Sequence, residues 1–269
     1  MRKADFKGAT VLITGASSGI GKAFACNLAR RGANLILTAR SVAKLEQIAE
    51  DLKKQYSTSI QVFPADLSYL DAPQQLFDEI HASGSSVDVL INNAGFGKWA
   101  HFLAEEISTY QRMLSVNINA LVSLTYLCLP DMLSRGKGGV INVASTAAFQ
   151  PVPYIAVYSA SKSFVLNFTE ALAGEYTENG LRFLALCPGN TATNFVAVAN
   201  ADTSGMSFAS PEEVVKAALG AFLQKRSYHV PGIANYLTSL LPRILPRSTA
   251  IKIVANMFRH RIAAFPLRS

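Results

Sequence analysis

Cysteine is scarce in this chain: Cys26, Cys128 and Cys187 are the three among 269 residues, far apart and each inside an apolar run. Such a set matches neither a disulfide framework nor a zinc site and reads as buried thiols. Charge is sparse as well, at 16% of residues against 50% apolar, with a mean hydropathy of +0.23. That balance excludes a largely disordered chain and supplies ample material for one core. No run reaches the ~18 unbroken apolar residues of a membrane span, and the polar residues 1–8 lack the apolar core of a signal peptide. The expectation is a cytoplasmic protein. Acid is the most unevenly missing component: residues 225–269 hold 8 Lys or Arg and no Asp or Glu, so the net charge of +7 belongs wholly to the tail. A near-neutral body argues against a basic groove for nucleic acid.

From Thr10 onward, short apolar or β-branched runs alternate with helical patterns, with no internal repeat and no linker before about residue 200. Strands are predicted over 10–14, 34–38, 60–64, 88–92, 139–144, 181–187 and 227–230, and helices over 20–31, 41–55, 71–82, 105–135, 155–178 and 211–224. Near-continuous hydrophobicity suits strands covered on both faces, so the fold class is α/β, a doubly wound, Rossmann-type parallel seven-stranded sheet. Residues 1–231 form that domain and 232–269 a basic, amphipathic helical extension. The helix at 211 opens Ser210-Pro211-Glu212-Glu213, with a cap, a first-turn proline and acids on the positive dipole end. Ligands of doubly wound sheets bind outside the carboxyl ends of the strands, so chemistry is sought there.

After the first strand come Gly15, Ala16, Ser17, Ser18, Gly19, Ile20 and Gly21, then an amphipathic helix. The glycines suit a tight turn, close approach to a pyrophosphate and helix–sheet packing, with free N–H donors at the helix start. A glycine-rich connection without a ligand is the bland alternative. The second strand ends Thr38-Ala39-Arg40. An acid there would bond the ribose of NAD; its absence and the guanidinium favour the 2′-phosphate of NADP, with NAD(H) as the second choice and a solvated surface arginine as the ordinary reading.

Tyr158 and Lys162 stand four apart and so share one helix face. A phenol with a pKa of about 10 is a poor acid/base at neutral pH, and a nearby cation favours its phenolate. Ser145 ends the fifth strand, where its hydroxyl would reach a carbonyl oxygen, and Asn117 sits mid-helix in an apolar stretch. Taken singly, each has an ordinary structural reading. Their joint spacing is what is improbable.

This ordered set, together with Asn92-Asn93-Ala94-Gly95 and Pro188-Gly189, resembles the short-chain dehydrogenase/reductase family over about residues 8–230. The resemblance implies NAD(P)(H) and hydride transfer at a carbonyl carbon. It further implies Tyr158 as general acid/base, Lys162 lowering its pKa and holding the nicotinamide ribose, Ser145 orienting the substrate oxygen, and Asn117 supporting a proton relay. Asp66 and Leu67 match positions beside adenine, Asn93, Ala94 and Gly95 the ribose segment, and Pro188, Gly189, Thr191 and Thr193 the carboxamide segment. Ser18 is neutral where NADP-preferring members often carry a base. A homodimer or homotetramer through the helices at 105–135 and 155–178 is also implied. The expectation is an NADPH-dependent carbonyl reductase; the alternatives are an NAD-dependent alcohol dehydrogenase and a noncatalytic nucleotide-sensing scaffold.

Phe96, Trp99, Phe149, Val152, Tyr154 and Phe195 follow the strand ends or approach the catalytic helix, so they are candidate walls of an apolar pocket for a lipophilic carbonyl. In the tail, Ile233, Tyr236, Leu237, Leu240 and Leu241 form one apolar stripe on a short helix ending near Pro242, and Ile251, Val254, Ala255, Phe258, Ile262 and Phe265 form another. Lys252, Arg259 and Arg261 flank the second. Three readings stay open: packing against the body or a second subunit, which the off-stripe Ile253 and Met257 favour; contact with an anionic membrane surface; and an acidic partner.

Overall fold

The computed structural model describes residues 6–199 and 202–262, so Phe265 of the second stripe lies outside the described residues. In chain order the elements are β1 Thr10–Thr14, α1 Gly19–Ala29, β2 Asn34–Thr38, α2 Val42–Gln55, β3 Ile60–Val62, α3 Ala72–Ala82, β4 Val89–Asn92, α4 Ile107–Leu114, α5 Ala120–Arg135, β5 Gly138–Val143, α6 Ala156–Tyr176, β6 Leu181–Leu186, α7 Phe195–Ala199, α8 Pro211–Leu223, β7 Tyr228–His229, α9 Ile233–Ile244 and α10 Arg247–Arg259. The seven strands pair in parallel in the order 3-2-1-4-5-6-7. The chain winds outward from β1 to β3 and restarts at β4 on the other side of β1. That reversal opens a crevice at the carboxyl ends of β1 and β4.

Alternate strand residues feed two apolar layers. On one face Ile13, Leu37 and Leu184 pack with Phe24 and Leu28 of α1, Leu45 of α2 and Phe222 of α8. On the other, Leu12, Leu90 and Val140 meet Leu76 of α3 and Leu124 and Met132 of α5, and Ala185 meets Val165 of α6. A buried polar chain crosses the second layer. Asn92 Nδ2 donates to Asn142 Oδ1 at 2.9 Å and to Thr125 Oγ1 at 3.1 Å, and Asn142 Nδ2 donates to Thr169 Oγ1 at 2.9 Å. Since Asn92 and Asn142 stand side by side in the sheet, this chain fixes α5 and α6 to one register of β4 and β5, and each buried amide has partners.

The predicted elements recur with physically explicable differences. The Ser210 capping box forms in both directions, with Glu213 N–H donating to Ser210 Oγ at 3.2 Å and Ser210 N–H to Glu213 Oε2 at 3.1 Å. β3 stops at Val62, short of Pro64, which cannot donate to a ladder. The helix predicted over 105–135 is broken by a π turn at Ser115–Asn119 between α4 and α5. Taken together, Ile107–Arg135 is long and apolar enough to cross a membrane by length and composition, which the count of unbroken apolar residues did not register. In the fold, Met113, Leu124, Cys128 and Met132 of this helix are buried in the core. Pro242 does not end α9, which runs on to Ile244.

Candidate active site

The crevice is built by hydrogen bonds between the ends of β1 and β4. Thr14 Oγ1 accepts from the N–H groups of Asn93 and Ala94, each at 2.9 Å, while Asn93 Nδ2 donates to the carbonyls of Thr14 at 2.9 Å and Gly15 at 3.2 Å. Gly15 turns away at φ +65°, and a Cβ there would come within 2.9 Å of Asn93 Nδ2. A Cβ on Gly21 would run into the Gly15 carbonyl oxygen. Both positions therefore require glycine for close backbone approach. α1 starts with no acid in its first turn and no side-chain cap from Ser18, leaving an unneutralised positive end.

Onto this end opens a cavity of about 1240 Å³, larger than the ~300–1,000 Å³ of a typical small-molecule site. Its wall includes Gly15, Ser17, Ser18, Gly19 and Ile20 from the turn, Arg40 after β2, and Asp66 and Leu67 after β3. Asn93, Ala94 and Gly95 follow β4, and Pro188, Gly189, Thr191 and Thr193 follow β6. Arg40 is exposed, and none of the described ion pairs engages it. These residues fit an elongated, phosphate-bearing dinucleotide: a glycine cradle, a positive helix end and a guanidinium at one extremity. Gly21 lies behind the wall, where it lets α1 approach the sheet.

At the other end of the cavity stand Ser145, Tyr158 and Lys162, with Phe96, Trp99, Val152 and Phe195. The Tyr158 and Phe195 rings lie 5.3 Å apart. Two candidate walls are misplaced. A 3₁₀ turn at Thr146–Phe149 carries Phe149 into the cluster around Val165 and Val230, against the ring of Tyr228. Tyr154, held at φ +69°, packs edge-on against His101 and does not reach the cavity. In their place, sequence reasoning missed Thr238 and Ser239 of α9, Phe258 of α10, and Val198 and Phe208. Phe258 meets Trp99 with ring centroids 4.8 Å apart, over Val152, Ile155 and Val254. Its membership of an apolar stripe was the available signal; the direction of that stripe was not.

Lys162 is buried and donates from Nζ to the Val143 carbonyl at 2.7 Å, with Nζ 5.7 Å from the Tyr158 ring centroid. Desolvation pushes the Lys162 ammonium down to about 8, the nearby Cys187 opposing. Desolvation likewise pushes the Tyr158 phenol up to about 12, against the lowering effect of its hydrogen bond with Ser145. The expected depression of Tyr158 by Lys162 does not emerge: burial dominates, and the lowering contribution comes from Ser145. Ser145 Oγ also accepts from the Ala147 N–H at 3.1 Å. Asn117 lies off the cavity, inside the π turn. Its Oδ1 accepts from the Phe96 N–H at 3.1 Å, and Nδ2 donates to the Phe96 carbonyl at 3.0 Å and Ser161 Oγ at 3.1 Å. Ser161 Oγ donates in turn to the Tyr158 carbonyl at 2.7 Å. The side-chain amide therefore ties the loop after β4 to the helix bearing Tyr158 and Lys162.

Comparison with known proteins agrees with this geometry. The family described as short chain dehydrogenase matches residues 9–204. Very-long-chain 3-oxoacyl-CoA reductase of Anas platyrhynchos is 32% identical over 272 residues, covering 96% of this chain and 82% of the relative. The 17-beta-hydroxysteroid dehydrogenase type 3 of Mus musculus is 37% identical over 191 residues, covering 69% of this chain and 61% of the relative, so the match spans less than two thirds of that protein. Among solved structures, a short-chain dehydrogenase from Sphingobium yanoikuyae in complex with NADPH superposes with a TM-score of 0.80 at 28% identity, over 97% of this chain and 100% of the other.

Proposed function

The chain belongs to the short-chain dehydrogenase/reductase family of oxidoreductases and is an enzyme with a nicotinamide cofactor, and on that premise we propose that it is an NADPH-dependent reductase of lipophilic ketones. The observation that carries the reading is the meeting of Ser145, Tyr158 and Lys162 with the apolar walls of Trp99, Val152 and Phe195 in one cavity. A bound nicotinamide supplies the hydride. The chain's own groups handle the oxygen: Ser145 donates a hydrogen bond to it, and Tyr158, kept protonated by burial, gives up its phenolic proton as charge develops there. Lys162, held beside the ring, stabilises the phenolate left behind. In this reading Asn117 positions, keeping Phe96 and Tyr158 in register, and Arg40 takes the 2′-phosphate at the far end.

The substrate class is a 3-oxoacyl, steroid-like or aryl/alkyl ketone. The apolar end of the cavity supports this, as do the activities for which the two relatives are named, one a 3-oxoacyl-CoA reductase and one a hydroxysteroid dehydrogenase. Residues 1–231 carry the chemistry in this proposal, and within 232–269 α9 and α10 complete the substrate end. A homodimer or homotetramer through α5 and α6 is supported by the exposed Tyr126 and Phe164. The setting is the cytoplasm, at a membrane surface. Tyr158→Phe tests the reading: NADPH oxidation with a lipophilic ketone is expected to vanish while the NADPH-induced thermal shift persists. Retained turnover would remove Tyr158 from its role, and a shift with NADH larger than with NADPH would favour the NAD-linked alcohol dehydrogenase.

A further inference from the structure

α9 is amphipathic in the reverse sense. The side it turns to the body is polar: Ser239 is buried, Asn235 packs against Gly189 and donates from Nδ2 to the Pro231 carbonyl at 2.9 Å, and Thr238 and Ser239 line the cavity. Ile233, Leu237, Leu241 and Ile244, spaced to share one face of a helix, are instead 81, 58, 50 and 78% exposed. Ile253 and Met257 of α10 are exposed with them, at 48 and 62%, rather than packed inward as their off-stripe positions suggested. A soluble helix buries such a stripe; this one spends polar side chains on the body and leaves the apolar ones outside.

Charge identifies what covers it. Arg243, Arg247, Lys252 and Arg259 on the same two helices are exposed, and none of the described ion pairs engages them. No acid occurs anywhere in residues 225–269 to neutralise them. A second copy of this face, docked about a two-fold axis, would set these cations against their own equivalents. An anionic lipid surface accepts both components, apolar side chains below the headgroups and cations among them. We propose that α9 and the outer side of α10 dock on an anionic bilayer, α9 lying in its interface. Thr238, Ser239 and Phe258, which line the cavity, belong to these same two helices, so docking sets the substrate end beside the lipid. Docking is independent of the reductase reading; passage of a lipophilic ketone from bilayer to cavity rests on it.

The experiment is co-sedimentation of the full chain with phosphatidylcholine vesicles, with and without phosphatidylglycerol. Strong binding is expected only with phosphatidylglycerol, weakened by salt. The Ile233→Glu/Leu237→Glu variant should bind about tenfold or more weakly, and Arg243→Gln/Arg247→Gln should lose the preference for the anionic vesicle. Both changes lie on exposed positions and should leave the NADPH thermal shift and the mass in solution unaltered. Absence of binding to either vesicle, or unchanged binding by both variants, overturns the proposal. A fall in solution mass for the Glu variant would instead assign the face to a second copy and overturn it as well. Turnover of a water-soluble ketone without vesicles checks the reductase reading separately.

Discussion

Phe258→Ala separates the substrate end of the cavity from the nucleotide end. Phe258 is partly buried and packs at a tilt against Trp99, with ring centroids 4.8 Å apart, next to Val254, Val152 and Ile155. Complete burial of a Phe side chain is worth ~1.5–3 kcal/mol, and an aromatic pair adds ~0.5–1.5 kcal/mol beyond area. For a half-buried ring, truncation should cost roughly 1–2 kcal/mol of α10 docking, a factor of about 5–30 in the docked population. Trp99 is the chain's sole tryptophan, so its fluorescence reports this contact without interference. The expected outcome is a red-shifted emission and a raised KM for a lipophilic ketone, with NADPH affinity unchanged. Because α10 lies outside the sheet, global unfolding should shift little. An unaltered emission together with an unaltered KM would refute the assignment of α10 to the cavity wall.

Removing Arg40 as Arg40→Ala should weaken NADPH by about 1–3 kcal/mol, the range for hydrogen bonds to charged groups, and leave NADH nearly untouched; titration of both nucleotides checks it. Folding stability of the ligand-free protein should depend on pH through Lys162. Below about 8 the folded and unfolded chains both hold its proton, so the cost of burying the ammonium is constant; between about 8 and 10.5 the unfolded chain holds more protons and stability rises with pH. From about 9 the buried Cys128 and Cys187 thiols, and above 10 the Tyr158 phenol, all raised to about 12 by burial, act in the opposite sense, because the folded chain then holds the extra protons. Urea unfolding at successive pH values should show the rise between about 8 and 9, and Lys162→Met should abolish it. Gly21→Val should lower stability and nucleotide binding together, as α1 is driven off the Gly15 carbonyl; soluble, nucleotide-binding protein with an unshifted unfolding midpoint would contradict this.

The sheet class and the reactive trio were legible because they follow from local chemistry. Apolar runs separated by helical periods announce a parallel sheet, the glycines sit where a Cβ does not fit, and a spacing of four places Tyr158 and Lys162 on one face. What sequence withheld was direction. Periodicity grouped Ile233, Leu237 and Leu241 but carried no sign for inward or outward, and it was the polar Asn235 and Ser239 that took the inner side. Phe149 was assigned by proximity to a strand end, yet a single 3₁₀ turn redirected it. Asn92 and Asn142 are partners only once β4 and β5 are neighbours, 50 residues apart in the chain, and no local pattern encodes that. In sequence Asn117 stands out only as an amide mid-helix in an apolar stretch; its partners, Phe96 and Ser161, are tertiary.

Phe258 of α10 and Ser239 of α9 line the same chamber as the glycine turn and the tyrosine–lysine pair, yet they come from helices that lie outside the sheet. One stretch of wall is therefore carried by elements separate from the scaffold that sets the rest. Substitutions confined to α9 and α10 recontour that stretch and leave the sheet, its turn and the pair as they are.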